Sequence, residues 1–474
     1  MDDTIVVGLD IGTTKIACFI GKRGSDPKKI KILGFGRSVS KGVRYGIVEN
    51  LTVTAESIKE AVAEASQKAN VDVEEVYIGV AGQHIHTELI EATTTIPDNT
   101  YQIISEDDLR NLEDTLRKTA TIPEGHQIIH LFPQTYSVDG RELQYGISPA
   151  GVNGHVLKGV FNVVTGNKNE IQKLVYSVRM AGLVVKGIAL EPVASSYAVL
   201  DEDDQRDGVA LVDIGGGTTD IAVMIDGVVR FTSVLALAGD VITKDICENC
   251  RIVKRRAEQL KTHFGSCLPS SVNEDVVLSI PMSHNQPPLE IKQRSLAQII
   301  KPRVESIFGM VSLELDESQL LDKLNNGMAL TGGGSNMREI RELAELTTGI
   351  HCHIGRPGIH LEPVENTEEY TKVMDEYNNP MYATGIGLVI FGLMEEARMA
   401  QENIPKEDSK PEPQKEVPAE SADAPSLEDI EESTLTTPHD GNDNGNGSGS
   451  GRRKPLDYIA AWLKEQFVGP IEDN

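Results

Sequence analysis

Two short stretches carry residue types suited to holding phosphate. Asp10-Ile-Gly-Thr-Thr-Lys15 and Asp213-Ile-Gly-Gly-Gly-Thr-Thr-Asp220 each follow an apolar run and lead into another. A strand, an aspartate, a tight Gly/Thr turn and a returning strand make a hairpin whose tip offers backbone N–H groups and hydroxyls. Phosphate oxygens need such donors at close backbone approach, which glycine permits. Gly12, Thr13, Thr14 and Lys15 in the first turn, and Gly215, Gly216, Gly217, Thr218 and Thr219 in the second, are therefore the candidate phosphate ligands. Asp10 and Asp213 are placed to hold the waters of a Mg²⁺. Neither turn has the Walker spacing, and neither opens a helix as a dinucleotide-binding loop does. One such hairpin alone would be an ordinary turn; two in equivalent places point to a shared ligand. A third cluster, Thr331 followed by Gly332, Gly333, Gly334, Ser335 and Asn336, precedes a helix expected near Met337 and could lay backbone against a nucleoside.

The elements around these turns alternate. Strand-like runs at 5–9, 15–20, 76–80, 159–164, 209–214 and 221–225 are interspersed with helical periods at 54–68 and 169–181, which predicts an α/β fold with helices covering a mixed sheet. The two Asp-Gly turns stand too far apart for a solenoid repeat and suggest a duplicated domain whose halves face each other. The chain has 474 residues and a formal charge of −27, which argues against a protein that neutralises nucleic-acid phosphates. Five cysteines make no disulfide framework, and a reducing compartment is expected. No secretory signal is visible at the start, and the apolar run 383–394 is too short to span a bilayer.

Composition changes near residue 401. Residues 401–451 hold 13 acidic and 3 basic side chains, with six prolines and then a Gly/Asn/Ser run, which predicts a disordered acidic tether over 401–453. Some 50 such residues reach on the order of 40 Å. Beyond it, residues 454–468 read as an amphipathic helix with Leu456, Ile459, Leu463 and Phe467 on one face and Trp462 at its edge. Arg452, Arg453 and Lys454 precede that helix, a pattern suited to lying on an anionic membrane surface; docking onto the protein's own core is the alternative.

The two Asp-Gly-Thr turns with the late Thr-Gly-Gly-Gly resemble the actin, Hsp70 and sugar-kinase ATPase superfamily. Within it, residues 1–400 resemble the bacterial cell-division family FtsA, through the 213–221 turn, Ala189-Leu-Glu-Pro-Val-Ala-Ser-Ser-Tyr, Ala257-Glu-Gln-Leu-Lys261 and Tyr382-Ala-Thr-Gly-Ile-Gly-Leu388. The resemblance implies two actin-like halves around a nucleotide cleft. The first would be 1–82, continued by 166–191 and 380–400; the second would be 192–379, with a smaller subdomain at about 236–303. An α/β subdomain would be inserted at 83–165, contacting other copies and other division proteins. It implies ATP with Mg²⁺ as cofactor, Glu258 and Lys261 at ribose and adenine, Gly332 to Asn336 over the nucleoside, and Glu191 positioning the attacking water, with at most weak ATPase activity. It also implies self-assembly into filaments, attachment to the cytoplasmic face of the membrane at the division site, and binding of the C-terminal peptide of FtsZ in the second half's smaller subdomain. There Lys292, Arg294, Lys301 and Arg303 are the candidate contacts. A small-metabolite kinase and a pilus-assembly ATPase share the turns and remain alternatives. One competing motif cuts across this region: Cys247, Cys250, His263 and Cys267 have spacing compatible with tetrahedral Zn²⁺, or are plain thiols and an imidazole.

Overall fold

The computed structural model describes residues 4–97, 102–144, 146–281, 287–362 and 375–402. Its centre is a pair of five-stranded sheets with the same strand order. In the first, Val6–Ile11 lies between Lys15–Arg23, antiparallel, and Glu75–Val80, parallel, with Ile30–Val39 and Val184–Leu190 at the edges. In the second, Val209–Ile214 lies between Thr219–Ile225, antiparallel, and Met328–Thr331, parallel, with Val228–Leu235 and Cys352–Ile354 at the edges. Both central strands are buried along their whole length, which is why they read as unbroken apolar runs rather than alternating ones. Register repeats as well: Ile11 pairs with Ile16 and Ile214 with Thr219, so each hairpin leaves a four-residue turn, 12–15 and 215–218. The echo in the sequence is a duplicated fold.

Helices cover the sheets where the periodicity places them. The one expected over 54–68 runs Leu51–Ala69; the Asn50 side chain caps its start and Asn70, in the left-handed region, ends it. Its buried face is Ala55, Ile58, Ala61, Val62 and Ala65, as the spacing requires. The second runs Lys168–Met180.

Between the strands Glu75–Val80 and Val184–Leu190 the chain forms a separate antiparallel sheet, ordered Ile85–Thr95, Val156–Asn167, His126–Val138 and Arg141–Glu142. Helix Glu106–Thr119, started by a Ser105/Asp108 capping box, packs Leu109, Leu112 and Leu116 against Leu157 and Phe161 of this insert. Its other end is not independent. Phe132 and Val164 sink into the same apolar cluster as Leu190, Val193 and Tyr197 of the main body.

The halves are joined by two helices. Glu191–Val199 carries the chain from the first half to the second, and Ala383–Glu402 brings it back to lie on Val6–Ile11. They cross so closely that a Cβ on Gly387 would stand 1.8 Å from the Ala194 carbonyl oxygen, so only glycine fits there. The apolar run at 383–394 is thus core, and no described helix is long and apolar enough to cross a membrane. The second half also carries helices Gly239–Cys250, Lys254–Phe264 and Gln293–Glu317 with the hairpin Val277–Ile280/Leu289–Lys292. The tether expected over 401–453 starts too early by two residues, since Gln401 and Glu402 end the helix Ala383–Glu402; its remainder and the helix expected over 454–468 lie outside the described residues.

Candidate functional site

The two hairpin turns meet. A Cβ on Gly216 would fall 2.3 Å from Cγ2 of Thr14, and one on Gly217 would fall 2.4 Å from Oγ1 of Thr13, so bare glycine backbone of one half lies against threonine side chains of the other. Each turn is closed by the same hydrogen bond: the Gly12 N–H donates to the Lys15 carbonyl at 3.1 Å, and the Gly215 N–H donates to the Thr218 carbonyl at 2.9 Å. The amides at the tips are not used by these bonds, the arrangement that makes anion-binding concavities.

Three carboxylates, Asp10, Asp213 and Asp220, are buried around the junction, and a fourth, Glu191, is half-buried there. Asp10 ends the first central strand and pairs with the Lys15 ammonium. Asp213, its counterpart, accepts from Ser195 Oγ at 2.6 Å and Thr384 Oγ1 at 3.3 Å, both on the joining helices. Asp220 accepts from Thr218 Oγ1 at 3.0 Å, while its other oxygen is buried with no protein partner. Glu191 sits at the first turn of the joining helix, its stem filling the space that Gly79 leaves open. Burial pushes the Glu191 carboxyl well above the usual range, and the nearby charges of Asp10, Asp220 and Asp213 push the same way against Lys15. Asp220 and Asp213 are also raised, by burial first. Lys15 loses by burial and gains more from Asp10 and Asp213, so its ammonium is held above its ordinary value. This surplus of buried negative charge calls for cations.

A cavity of about 300 Å³ runs from these groups into the second half, bounded by Gly12 to Lys15, Gly215 to Thr218, Gly332 to Gly334 and Asn336. At its far side Lys261 donates to the Gly239 carbonyl at 2.9 Å and to Thr243 Oγ1 at 2.8 Å, and pairs with Glu258 at 2.9 Å. The donor set fits a phosphorylated ligand with a divalent cation. Amide-rich turns and Lys15 face one end, a carboxylate oxygen lacks a partner beside them, and a hydroxyl- and amide-bearing wall closes the other end. Among the described residues no three acidic, His or Cys side chains converge at direct metal-binding range. Asp10 and Asp213 offer carboxylate oxygens at the cavity that can hold the waters of a cation.

Two family models match the chain, "Cell division protein FtsA" over residues 210–387 and "SHS2 domain inserted in FTSA" over residues 82–165. The cell division protein FtsA of Pseudomonas aeruginosa is 34% identical over 394 residues, covering 83% of this chain and 90% of that protein. This chain belongs to the FtsA family. The FtsA of Escherichia coli K12 is 30% identical over 401 residues, covering 82% and 91%. A solved structure titled "PilM-PilN type IV pilus biogenesis complex" superimposes with a TM-score of 0.58 at 17% identity, over 82% of this chain and 98% of that one, a likeness of fold alone. The FtsA-family chain thus has the actin-like ATPase fold with an SHS2 insert, and it is a cell-division protein.

Within this FtsA-family fold, most of the residues singled out by motif line the cavity, and two do not. Thr219 is fully buried as the first residue of its strand, where its hydroxyl donates to the Leu237 carbonyl at 2.6 Å. Ser335 turns away to donate to the Gly332 carbonyl at 2.8 Å. Both hold a turn in shape from behind. The helix expected near Met337 starts at Ile340, because Gly333–Asn336 forms a tight 3-10 turn first, so no helix N-terminus opens directly onto the glycines. Motif reading missed Asp220, Ser195 and Thr384. Asp220 was legible as the acidic end of the second turn, directly paired with Asp213 across the hairpin. Ser195 and Thr384 reach Asp213 only through tertiary packing.

The basic residues proposed as partner contacts do not form one unpaired patch. Arg303 is held bidentately by Asp245 at 2.6 and 3.1 Å, Arg294 pairs with Glu274, and Lys301 pairs with Glu305 one helical turn on at 3.0 Å. Lys292 is exposed at the end of its strand. Arg303 does border a groove of about 930 Å³, with Arg251, Leu289, Ile291, Ile299 and Pro302. Arg251 follows the helix Gly239–Cys250 and was not foreseen. The cysteine spacing does not close into a metal site: Cys267 is fully buried, Cys247 and Cys250 lie on a different helix from His263, and His263 Nδ1 lies 2.9 Å from the Gln259 carbonyl oxygen of its own helix.

Proposed function

We propose that this protein is an ATP-binding division scaffold that assembles with copies of itself and ties FtsZ polymers to the cytoplasmic face of the membrane through residues 454–468. The observation that carries the reading is the meeting of the two glycine turns beside three buried carboxylates and the half-buried Glu191, a site suited to a cation-bearing polyphosphate. In it, amides of the turns and Lys15 would hold phosphate oxygens, and Asp10 and Asp213 would hold the waters of Mg²⁺, whose charge offsets that of the phosphates. Glu258, Lys261 and the Gly332 to Asn336 wall would face ribose and base. Glu191 would orient a water and accept its proton as the new bond to phosphorus forms and the bond to the departing ADP breaks. Catalysis of that kind relies on orientation of the water and on an acceptor for its proton.

The groove beside Arg251 and Arg303, which Asp245 and Glu290 also line, supports the assignment of the peptide site through the apolar walls of Leu289, Ile291, Ile299 and Pro302 and the Arg251 charge, which suit a short acidic-apolar segment. Arg251→Glu is expected to weaken binding of the FtsZ C-terminal peptide about tenfold with ATP binding unchanged, read by fluorescence anisotropy. Arg303→Glu, which also sets two carboxylates face to face, is expected to weaken it further. Equal affinity in both variants would remove this groove from the reading.

Flotation with anionic liposomes tests the scaffold. Full-length protein with ATP is expected to float and to carry FtsZ with it; a chain ending at Gly451 is expected to bind ATP and remain in the dense fraction. A single 15-residue amphipathic helix binds reversibly, so flotation is expected to rise steeply with protein concentration as assembly adds avidity. Flotation of the truncated chain equal to that of the full chain would overturn the membrane assignment.

A further inference from the structure

One side chain of the insert reaches into the wall of the cleft. His130, on strand His126–Val138, is fully buried, and its Nε2 accepts the N–H of Leu190 at 2.8 Å. Leu190 closes the edge strand Val184–Leu190 and is the residue before Glu191, where the joining helix begins. That strand has a sheet neighbour on one side only, and His130 takes the place of a neighbour for its last amide. The helix start has no side-chain cap of its own, so the imidazole, together with the pairing of Leu190 with Val80, ties down the backbone leading into it.

The insert is shaped for this contact. Pairing with Val156–Asn167 runs Val164 to His130 and then Thr165 to Ile128, leaving Ile129 as an extra residue beside His130. Such a bulge re-aims the side chains that follow it. The Phe132 ring lies 5.4 Å from the imidazole and shares the apolar cluster of Leu190 and Val193. To accept from an amide, the imidazole must be neutral with its proton on Nδ1. Burial pulls His130 down to about 3, and the Arg117 guanidinium of helix Glu106–Thr119 adds to the effect, so the acceptor is present throughout the physiological range.

We propose that His130 is a positioning residue through which the inserted subdomain sets the orientation of Glu191 in the cleft, so that a shift of the insert changes hydrolysis while leaving nucleotide binding in place. This rests on the assignment of Glu191 to water positioning given above. The turns that would hold the phosphates belong to the two halves, whereas Glu191 hangs from the backbone that His130 holds. A partner or second copy seated on the insert would act on turnover by this route.

The test uses full-length protein with four changes: His130→Ala, His130→Gln, Glu191→Ala and the His130→Ala/Glu191→Ala pair. Gln retains an acceptor of similar reach. ATP binding is followed by the ATP-induced rise in melting temperature, hydrolysis by phosphate release, and the local backbone by amide hydrogen exchange over residues 186–194 without nucleotide. His130→Ala is expected to keep the ATP-induced rise, to hydrolyse about tenfold more slowly, and to exchange faster at that segment, since a displacement of a fraction of an ångström at a reacting group has costs of this order. His130→Gln is expected to recover most of both losses, and the pair to be no slower than Glu191→Ala alone. Unchanged exchange in His130→Ala, failure of Gln to rescue, or a further loss in the pair would overturn the proposal. Failure of the underlying assignment shows elsewhere: wild-type protein without an ATP-induced rise, or Glu191→Ala hydrolysing at the wild-type rate.

Discussion

Gly216→Leu is expected to abolish ATP binding and leave the fold standing. The wild-type protein at ATP concentrations a hundredfold above its dissociation constant gains about 2.7 kcal/mol, several degrees in melting temperature, and the variant is expected to show none of it. Steric exclusion of phosphate is only part of the reason. The new side chain meets Thr14 of the opposite turn before it meets any ligand, since even a Cβ would stand 2.3 Å from Thr14 Cγ2. The variant therefore separates the two turns, and phosphates that must be held from both sides lose one of them. A second pair of proteins isolates this cause: Gly216→Ala should lose most of the ATP-induced rise, and Thr14→Gly in the same chain should return part of it. Unaltered ATP stabilisation in Gly216→Leu would end the assignment of the turns.

Glu191→Gln is expected to make the protein more stable and less active together. Burial and three neighbouring aspartates raise the Glu191 carboxyl in the folded state, so the folded chain holds that proton to higher pH than the unfolded chain, which releases it near pH 4.3. The contribution to stability is full below that value and disappears as pH rises through the folded one. As pH rises the wild-type chain loses this contribution, and the neutral amide, which has no proton to release, does not. The variant's advantage in melting temperature is expected to be a few degrees, at roughly 2–4 °C per kcal/mol. It should shrink toward zero as pH falls to about 4. Hydrolysis is expected to fall about a hundredfold with ATP affinity little changed. A lower melting temperature for Glu191→Gln at pH 7.5, or an advantage that grows on acidification, would refute the electrostatic account.

The turns were legible because everything that defines them is local: an apolar strand, an aspartate, and a four-residue Gly/Thr tip, repeated once. The helix Leu51–Ala69 was legible for the same reason, its apolar spacing and its two asparagine ends being contiguous in the chain. What escaped reading depends on distant segments. Ser195 and Thr384 meet at Asp213 from positions 189 residues apart, and no local pattern announces that meeting. The motif also over-assigned. It names residue types but not faces: the Thr219 hydroxyl is turned to the Leu237 carbonyl and the Ser335 hydroxyl to the Gly332 carbonyl, both away from the cavity. Charge misled in a similar way. Lys301 and Arg303 looked like a patch because their carboxylate partners, Glu305 and Asp245, lie one turn along the helix and on another helix.

The crossing of the two joining helices also dictates when each part of the molecule can fold during synthesis. The insert, apart from the Phe132 and Val164 end that packs on the main body, and the second half are each assembled from nearly continuous chain, the latter mostly from residues 209–354, so their sheets can form soon after they leave the ribosome. The first half cannot. One face of Val6–Ile11, among the earliest residues made, waits for Ala383–Glu402, among the latest of the described ones. Its sheet therefore stays uncovered through most of translation, exposed to wrong pairings for as long as the ribosome takes to write some 370 further residues. A nascent chain stalled before residue 383 is expected to show a protease-resistant second half beside a degraded first one, and release of the last helix is the event that makes the cleft.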